Sequence, residues 1–525
     1  MKANKLLLGL MAVGTLFSCT NDESEFENAS VGQLEKSYIT VNVNSAYDIT
    51  RAANYEDGTD VEKKVNKAIF FFFDNAGSPY NVSVETGGTG VNYIVKNNLG
   101  GSNSTSENIE TITEAVLTIE GNKGTNPSKV VAVLNWDYAG SSISLYDLKS
   151  TLVDLAAATN QTSGFVMSNS VYMSGSDIMD ATPITAANIA TTINDANAIA
   201  VQVYVERLAA KVALATSETD GLYDTGVENP LSPGTNFYAK VVNWKLNTTM
   251  SHSNMVKTIS PSWSDDNLGI IGWNIEAYKR SFWGTSASVG GEVSLDKNFS
   301  WNGITNTVGE PEYCLENTTG QNTKVLVSAQ ISDAQGNAVE VVKFLGEYIT
   351  VDGLKNQIAS ALATKYYKYD GATYASILPE DIELVQAGNS GVDSYTVTYR
   401  LATAAEALTW KVKNADGVSY SDAAVADVNN ALGALATAQV WKNGMTYYFT
   451  DIQHLGSAGS TAEFGIVRNH SYVVNINAIV GLGTPVYDAS NEIDEPVKPT
   501  DTESFISAQI NVLSWRLVDN NVTLN

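Results

Sequence analysis

Chemistry near neutral pH draws on a few residue types: histidine, cysteine, paired carboxylates, or a glycine loop around a phosphate. The chain holds three histidines, His252, His454 and His470, and two cysteines, Cys19 and Cys314. The histidines stand far apart in sequence, and none lies in an H-E-x-x-H pattern. Two cysteines cannot complete a structural zinc site. No Walker pattern or G-x-S-x-G elbow occurs, and "GLGTPV" (481–486) fails the dinucleotide fingerprint at its third glycine. "SDDNLG" (264–269) lacks the ligand spacing of a calcium loop. The 57 acidic residues leave room for a hydrolase built from carboxylates distant in sequence, as in glycosidases, but no spacing singles out a pair. The expectation is a chain with no catalytic residues, no metal and no cofactor, and with a buried, inert Cys314. Chemistry done to the chain is better signposted, at Cys19 and at Arg51.

Cys19 ends a targeting segment. "MKANK" is a basic n-region and "LLLGLMAVGTLF" an apolar stretch too short to span a bilayer as a helix. "LFSC" follows and resembles the lipobox of bacterial lipoproteins, whose cysteine is acylated after residues 1–18 are removed. The next residues, "TNDESE", resemble the acidic signal that sends lipoproteins of Bacteroidota-type envelopes to the cell surface. An acylated Cys19 leaves Cys314 with no intramolecular partner.

Arg51 is one of six arginines. It follows a strict alternation in "SYITVNVNSAYDIT", where Ile39, Val41, Val43, Tyr47 and Ile49 share one face. That is a strand with one side buried. Burying such side chains is worth roughly 1.5–3 kcal/mol each, or about 7–15 kcal/mol for the five. Ala52 and Ala53 then offer a protease little obstruction, and small-residue loops are where nicking occurs. A cut between Arg51 and Ala52 breaks none of the strand's contacts, but it turns the strand into a separate, exchangeable ligand. Its departure leaves unpaired backbone and an apolar groove, a template for strand addition. The plainer alternative is a solvated loop arginine.

A chain of 525 residues suggests more than one domain. Low charge content with abundant Asn, Ser, Thr, Gly and Tyr reads as β-rich and extracellular. A net charge of -26 disfavours nucleic acid, which needs a basic face. Apolar runs at 67–74, 114–121 and 128–136 read as central strands. Residues 145–159 and 351–367 read as helices, and 444–455 and 471–483 as strands. In "AIAVQVYVERLAAKVALAT" (198–216) the apolar parity flips around Glu206–Arg207, which predicts a bulge or a strand changing sheets. The Gly-, Pro- and Asp-rich stretch 217–236 predicts a domain boundary. Near the other end, "NEIDEPVKPTDTES" reads as an extended linker. Beyond it Ile506, Ala508, Ile510 and Val512 alternate on one face, and Leu513, Trp515 and Leu517 continue on the opposite parity.

Several stretches together carry a resemblance: "VYVERLAAKVAL" (203–214), "VYMSGS" (171–176), "YCLENT" (313–318), "WKNGMTYYFTDIQH" (441–454), "FGIVRNHSYVVNINAIVGLGTPV" (464–486) and "SFISAQINVLSWRLVDNNVTL" (504–524). In their order and spacing the chain resembles the fimbrillin-type major subunits, the type V pilins of Bacteroidota, of the short-fimbria kind. The resemblance implies a mainly β fold: two tandem transthyretin-like β-sandwich domains with a few short helices. Residues 1–18 are then the signal peptide, and 19–51 a propeptide with the removable strand. Residues 52–218 form the N-terminal sandwich, and 219–525 the C-terminal one, ending in a donor strand at 505–518. It further implies a lipoprotein precursor at the outer membrane, trimmed by an Arg-specific trypsin-like protease. Copies of the chain polymerise into a surface fimbria for adhesion and biofilm formation, with accessory anchor and tip subunits as further partners. Within "VRNH", Arg468, Asn469 and His470 read as a turn entering a strand rather than as ligands.

Two alternatives stay open. A removable first strand and a free last strand favour a stalk subunit over an anchor or tip of the same fimbria. From another class, a surface glycan-binding lipoprotein also carries a lipobox and tandem sandwiches, and 9 Trp and 25 Tyr suit sugar stacking. Residues 505–518 can equally be read as an ordinary last strand.

Overall fold

The computed structural model describes residues 36–44, 58–82, 90–99, 102–103, 111–120, 126–174, 177–190, 194, 196, 199–258, 295–296, 299–317, 322–454, 464–493, 505–513 and 517–519. The fold is mainly β, with several largely antiparallel sheets and a few short helices. Six strands matter most. They are β1 (Lys36–Asn44), β2 (Thr111–Glu120), β3 (Val201–Arg207), β4 (Ala209–Thr216), β5 (Ser471–Val480) and β6 (Phe505–Leu513).

The N-terminal sheet runs, edge to edge, Tyr93–Asn97, Lys67–Phe73, Lys129–Leu134, Met167–Asn169, β3, β1, β2 and Ser102–Asn103. Both faces are covered. Phe70, Phe72, Val130, Ala132 and Val203 point into one core, and Phe71, Phe73, Val131 and Val133 into another. Double burial explains why "AIFFFF" and "VVAVL" are continuous apolar runs instead of alternating ones.

The parity flip at Glu206–Arg207 is a change of sheet. β3 belongs to the N-terminal sheet. After Leu208, β4 pairs in parallel with β5 and antiparallel with Pro311–Leu315. The crossing lies upstream of residues 217–236, within which Leu222–Glu228 is already a strand of the C-terminal sandwich. The C-terminal sandwich stacks the sheet Pro311–Leu315, β4, β5, β6, Leu517–Asp519 on the sheet Leu222–Glu228, Asn236–Asn247, Lys324–Ser332, Met445–Asp451, Thr484–Pro485. Val212, Leu214, Phe237, Trp244, Val327 and Tyr472 fill the space between them. Cys314 is a buried free thiol in this core, and burial pushes its pKa up, so it packs as a small apolar residue.

Two local expectations are corrected. Residues 145–159 do not form one helix. Helices Leu145–Ser150 and Leu155–Ala158 flank a short strand, Leu152–Asp154, that pairs with His252–Asn254 and buries Val153. Residues 351–367 form a helix only over Val351–Leu362, and Tyr366–Tyr369 is already a strand. The stretch between Lys324–Ser332 and Met445–Asp451 also builds two further sheets and, with helices Val351–Leu362 and Val425–Gly433, a core of its own around Leu354, Ile358, Val397 and Trp410. Its strands are mostly three to six residues long, too short for alternation to show.

The "GLG" stretch serves the backbone, while "SDDNLG" (264–269) lies outside the described residues. Trp441 Nε1 and Thr446 Oγ1 donate to the Leu482 carbonyl (2.9 and 2.7 Å), and Tyr448 Oη donates to that of Gly481 (2.9 Å). Gly483 has φ +67°, and a Cβ there would sit 2.5 Å from Thr446 Oγ1 and 2.8 Å from the Tyr448 ring. The glycines of "GLG" therefore make a tight turn against two side chains.

Candidate functional site

β1 lies inside its sheet. It pairs antiparallel with β2 from Lys36↔Glu120 to Asn44↔Ile112, and parallel with β3 from Val41↔Val201 to Asn44↔Tyr204. Ile39 and Val41 are fully buried beside Leu117, Val203 and Val205. Those two side chains alone contribute about 3–6 kcal/mol of burial. Val43 lies on β1, while Cys19, Tyr47, Ile49, Arg51 and Ala52 fall outside the described residues. At the other end β6 forms the ladder Leu513↔Ser471, Val512↔Tyr472, Ile510↔Val474 and Ala508↔Ile476 with β5, and Ile506↔Ile479 after a register shift. Leu517 lies on the strand Leu517–Asp519, which folds back on β6; Trp515 falls outside the described residues. β1 and β6 thus belong to different sheets.

Between the two sheet systems lies a set of buried charges. Lys257 is fully buried, its Nζ 3.2 Å from Glu206 Oε1. Burial, opposed by Glu206 and Glu316, holds this ammonium below the usual lysine range. Arg468 pairs with buried Glu316 and donates to Ser253 Oγ (2.9 Å), the Asn254 carbonyl (2.8 Å) and the Met255 carbonyl (3.2 Å). Asn469 adopts φ +57° and places Oδ1 3.1 Å from Arg207 Nη1, which donates to it. Arg207 Nε donates to the Glu62 carbonyl (2.8 Å). The Glu62 carboxylate accepts from Tyr313 Oη (2.6 Å) and Thr59 N–H (2.6 Å) and faces Lys211 Nζ at 3.4 Å. Burial works to raise the Glu62 pKa, but Tyr313, Lys211, the Thr59 N–H and Arg207 outweigh it and hold the group below its usual value.

"VRNH" is a turn entering a strand, as its sequence suggests, and Arg468 and Asn469 also tie that turn to the N-terminal half. The expected result for Arg468→Met is a loss of about 3–5 kcal/mol, because Glu316 stays buried without its guanidinium. Urea denaturation measures it. In the Arg468→Met/Glu316→Gln double variant the loss falls short of the sum of the singles.

Two of the three histidines, distant in sequence, come together. The His454 and His470 rings lie 5.3 Å apart, with Tyr472 Oη 3.0 Å from His454 Nδ1 while accepting from the Val467 N–H (2.9 Å). His470 Nδ1 lies 2.9 Å from the Arg468 carbonyl. All three rings are buried, and among the described residues no group of three His, Cys, Asp or Glu is placed to hold a metal. The buried network was missed in the sequence, although "VERLAAK" carries its signal: Glu206, Arg207 and Lys211 are charges inside an apolar strand run.

The geometry defines a class, a tandem β-sandwich chain with a strand from near each chain end laid into a sheet. Residues 439–521 match the Fimbrillin_C family, described as major fimbrial subunit protein type IV, fimbrillin, C-terminal. Over those residues the chain is similar to the C-terminal region of fimbrillins. No curated protein sequence matches it. Among solved structures it is similar to a fimbrilin (fimA) from Porphyromonas gingivalis W83, at 12% identity and TM-score 0.40, over 92% of this chain and 98% of that one. A candidate cell adhesion protein from Parabacteroides distasonis ATCC 8503 is similar at 12% identity and TM-score 0.40, with the same coverage of both chains. The tip fimbrial protein Mfa3 from Porphyromonas gingivalis, with C-terminal truncation, is similar at 12% identity and TM-score 0.34, over 91% of this chain and 99% of that one.

Proposed function

We propose that this chain is the stalk subunit of a surface fimbria and polymerises by protease-triggered strand exchange. The observation that carries the reading is the position of β1. The first described strand is clamped between β2 and β3, so its removal opens a groove with an unpaired strand edge on each side and two apolar sites where Ile39 and Val41 sat. A C-terminal strand with apolar residues on alternate positions, Ile506, Ala508, Ile510 and Val512, suits that groove. In the single chain this strand is held on β5. In a fibre it leaves β5 for the groove of the next copy. The protein does no catalysis in this role and needs no cofactor. Its partners are further copies of itself, an arginine-specific protease, and anchor and tip subunits, together supporting adhesion and biofilm formation.

The N-terminal sequence of protein released from cells tests the reading directly. A start at Ala52 supports it. A mature protein that keeps residues 19–51 contradicts it and favours a glycan-binding surface lipoprotein. A precursor anchored through an acylated Cys19 completes the route to the surface. The expected result for Cys19→Ala is precursor that stays short of the cell surface, read by protease shaving of intact cells. Normal fibres from that variant would exclude lipidation at Cys19.

A further inference from the structure

β3 is the wall that the departure of β1 exposes, and its last two residues lie in the buried charge set. Glu206 meets Lys257, and Arg207 binds both the Glu62 carbonyl and the Asn469 side chain. Glu62 stands in the first described segment downstream of Arg51, and Tyr313 and Lys211, both on strands of the C-terminal sandwich, hold its carboxylate. Asn469 N–H also donates to the Ala209 carbonyl (2.8 Å), just past the crossing from β3 to β4. One cluster therefore fixes three things to the C-terminal sandwich: the end of the groove wall, the crossing, and the start of the processed chain.

We infer that Glu62, Arg207, Tyr313 and Asn469 are positioning residues for strand exchange, an inference that rests on the reading above. While β1 is present, it pairs with residues 201–204 of β3, and Met167–Asn169 pairs with residues 205–207 from the other side. Once β1 leaves, residues 201–204 lose that ladder, and the buried cluster at the far end of β3 holds the strand in register until a new strand arrives. A groove wall that frays offers the incoming strand no defined ladder. The same cluster keeps the new N-terminal segment seated at the junction.

The test uses the full chain, uncut and after digestion with an arginine-specific protease, as wild type, Glu62→Gln and the milder Tyr313→Phe. The two readouts are amide hydrogen exchange at residues 201–204, the stretch that β1 pairs with, and uptake of a labelled synthetic peptide of residues 505–518. In the cut Glu62→Gln chain, exchange at 201–204 is expected to be about tenfold faster than in cut wild type, and peptide uptake about tenfold weaker, the scale of a lost charged hydrogen bond. Tyr313→Phe shifts both in the same direction by less. In the uncut chains the variants stay within about twofold of wild type at 201–204, because β1 still holds that stretch. Equal acceleration before and after the cut in both variants would make the cluster an ordinary structural contact and overturn the inference, as would cut variants that match wild type. If cut wild type takes up no peptide, the strand-exchange reading fails, and hydrogen exchange still decides whether the cluster holds β3.

Discussion

Cells making the Arg51→Ala chain are expected to accumulate a surface monomer that still begins upstream of β1, with fibres lost. The reason is effective concentration. A strand covalently joined to its own domain competes for its groove at about millimolar effective concentration, and it already holds a full ladder with β2 and part of one with β3. An incoming strand from another chain cannot match that while the connection is intact. Cutting at Arg51 leaves the ladders of β1 in place and removes the tether, so dissociation becomes irreversible on dilution. The three other arginines among the described residues are poor substitutes for the protease. Arg207 and Arg468 are buried, and Arg400 lies within the strand Thr396–Leu401, so none offers the extended, accessible backbone a protease must grip. Arg280 and Arg516 lie outside the described residues. Electron microscopy of shed material and N-terminal sequencing of the surface protein read the result. Fibres as abundant as those of wild type, with a processed start at another residue, would place the trigger elsewhere, and a processed start at Ala52 despite the substitution would exclude an arginine-specific protease.

Strand-level features of this fold are legible in the sequence where burial is one-sided or complete over several residues. The alternation through Ile39, Val41 and Val43 locates β1, and the unbroken run from Ala68 to Phe73 locates a doubly covered strand. The flip at Glu206–Arg207 reports a real change of sheet, because each sheet buries its own parity and the chain crosses between them at Leu208. Where the signal is short it misleads. Leu148, Leu152 and Leu155 recur at helical spacing, yet Val153 is the buried residue of a three-residue strand that finds its partner about a hundred residues away. No local pattern encodes that pairing. The same limit hides the unit between Lys324–Ser332 and Met445–Asp451, whose core is assembled from residues as far apart as Val342 and Val440. The buried junction is the harder case. Its charges are visible in "VERLAAK", but the rest of the network, Glu62, Lys257, the pair Tyr313 and Glu316, and the pair Arg468 and Asn469, comes from four other stretches, and only the fold brings them within reach. The candidate groove was readable because one strand carries it. The cluster beside it was not, because no two of its partner stretches are neighbours in sequence.

Deleting residues 505–525 is expected to give a folded, exported and protease-processed monomer that forms no fibres. Folding survives because β5 keeps its other neighbour. β4 pairs with β5 in parallel from Lys211↔Ser471 to Thr216↔Ile476, and Pro311–Leu315 continues that sheet beyond β4. Tyr472, Val474 and Ile476 remain packed against Phe237, Trp244 and Val327 of the opposite sheet. The deletion turns β5 into an edge strand, which lowers stability and invites self-association, but its polar Asn475 and Asn477 temper that edge. The N-terminal groove is untouched, so the truncated chain still loses β1 on cutting and still accepts a strand. It has none to give. Mixed with processed wild-type chains, it therefore ends growing fibres, and average fibre length falls as its share rises. That dominant shortening separates a donor from a structural strand, since a chain that merely misfolds drops out of assembly and leaves fibre length unchanged. A cysteine placed at Ile510, paired with one placed at Val203 in the groove of the neighbouring copy, should cross-link subunits in wild-type fibres. Aggregation of the truncated chain without processing, or fibres of normal length from it alone, would assign residues 505–518 to the permanent sheet of their own domain.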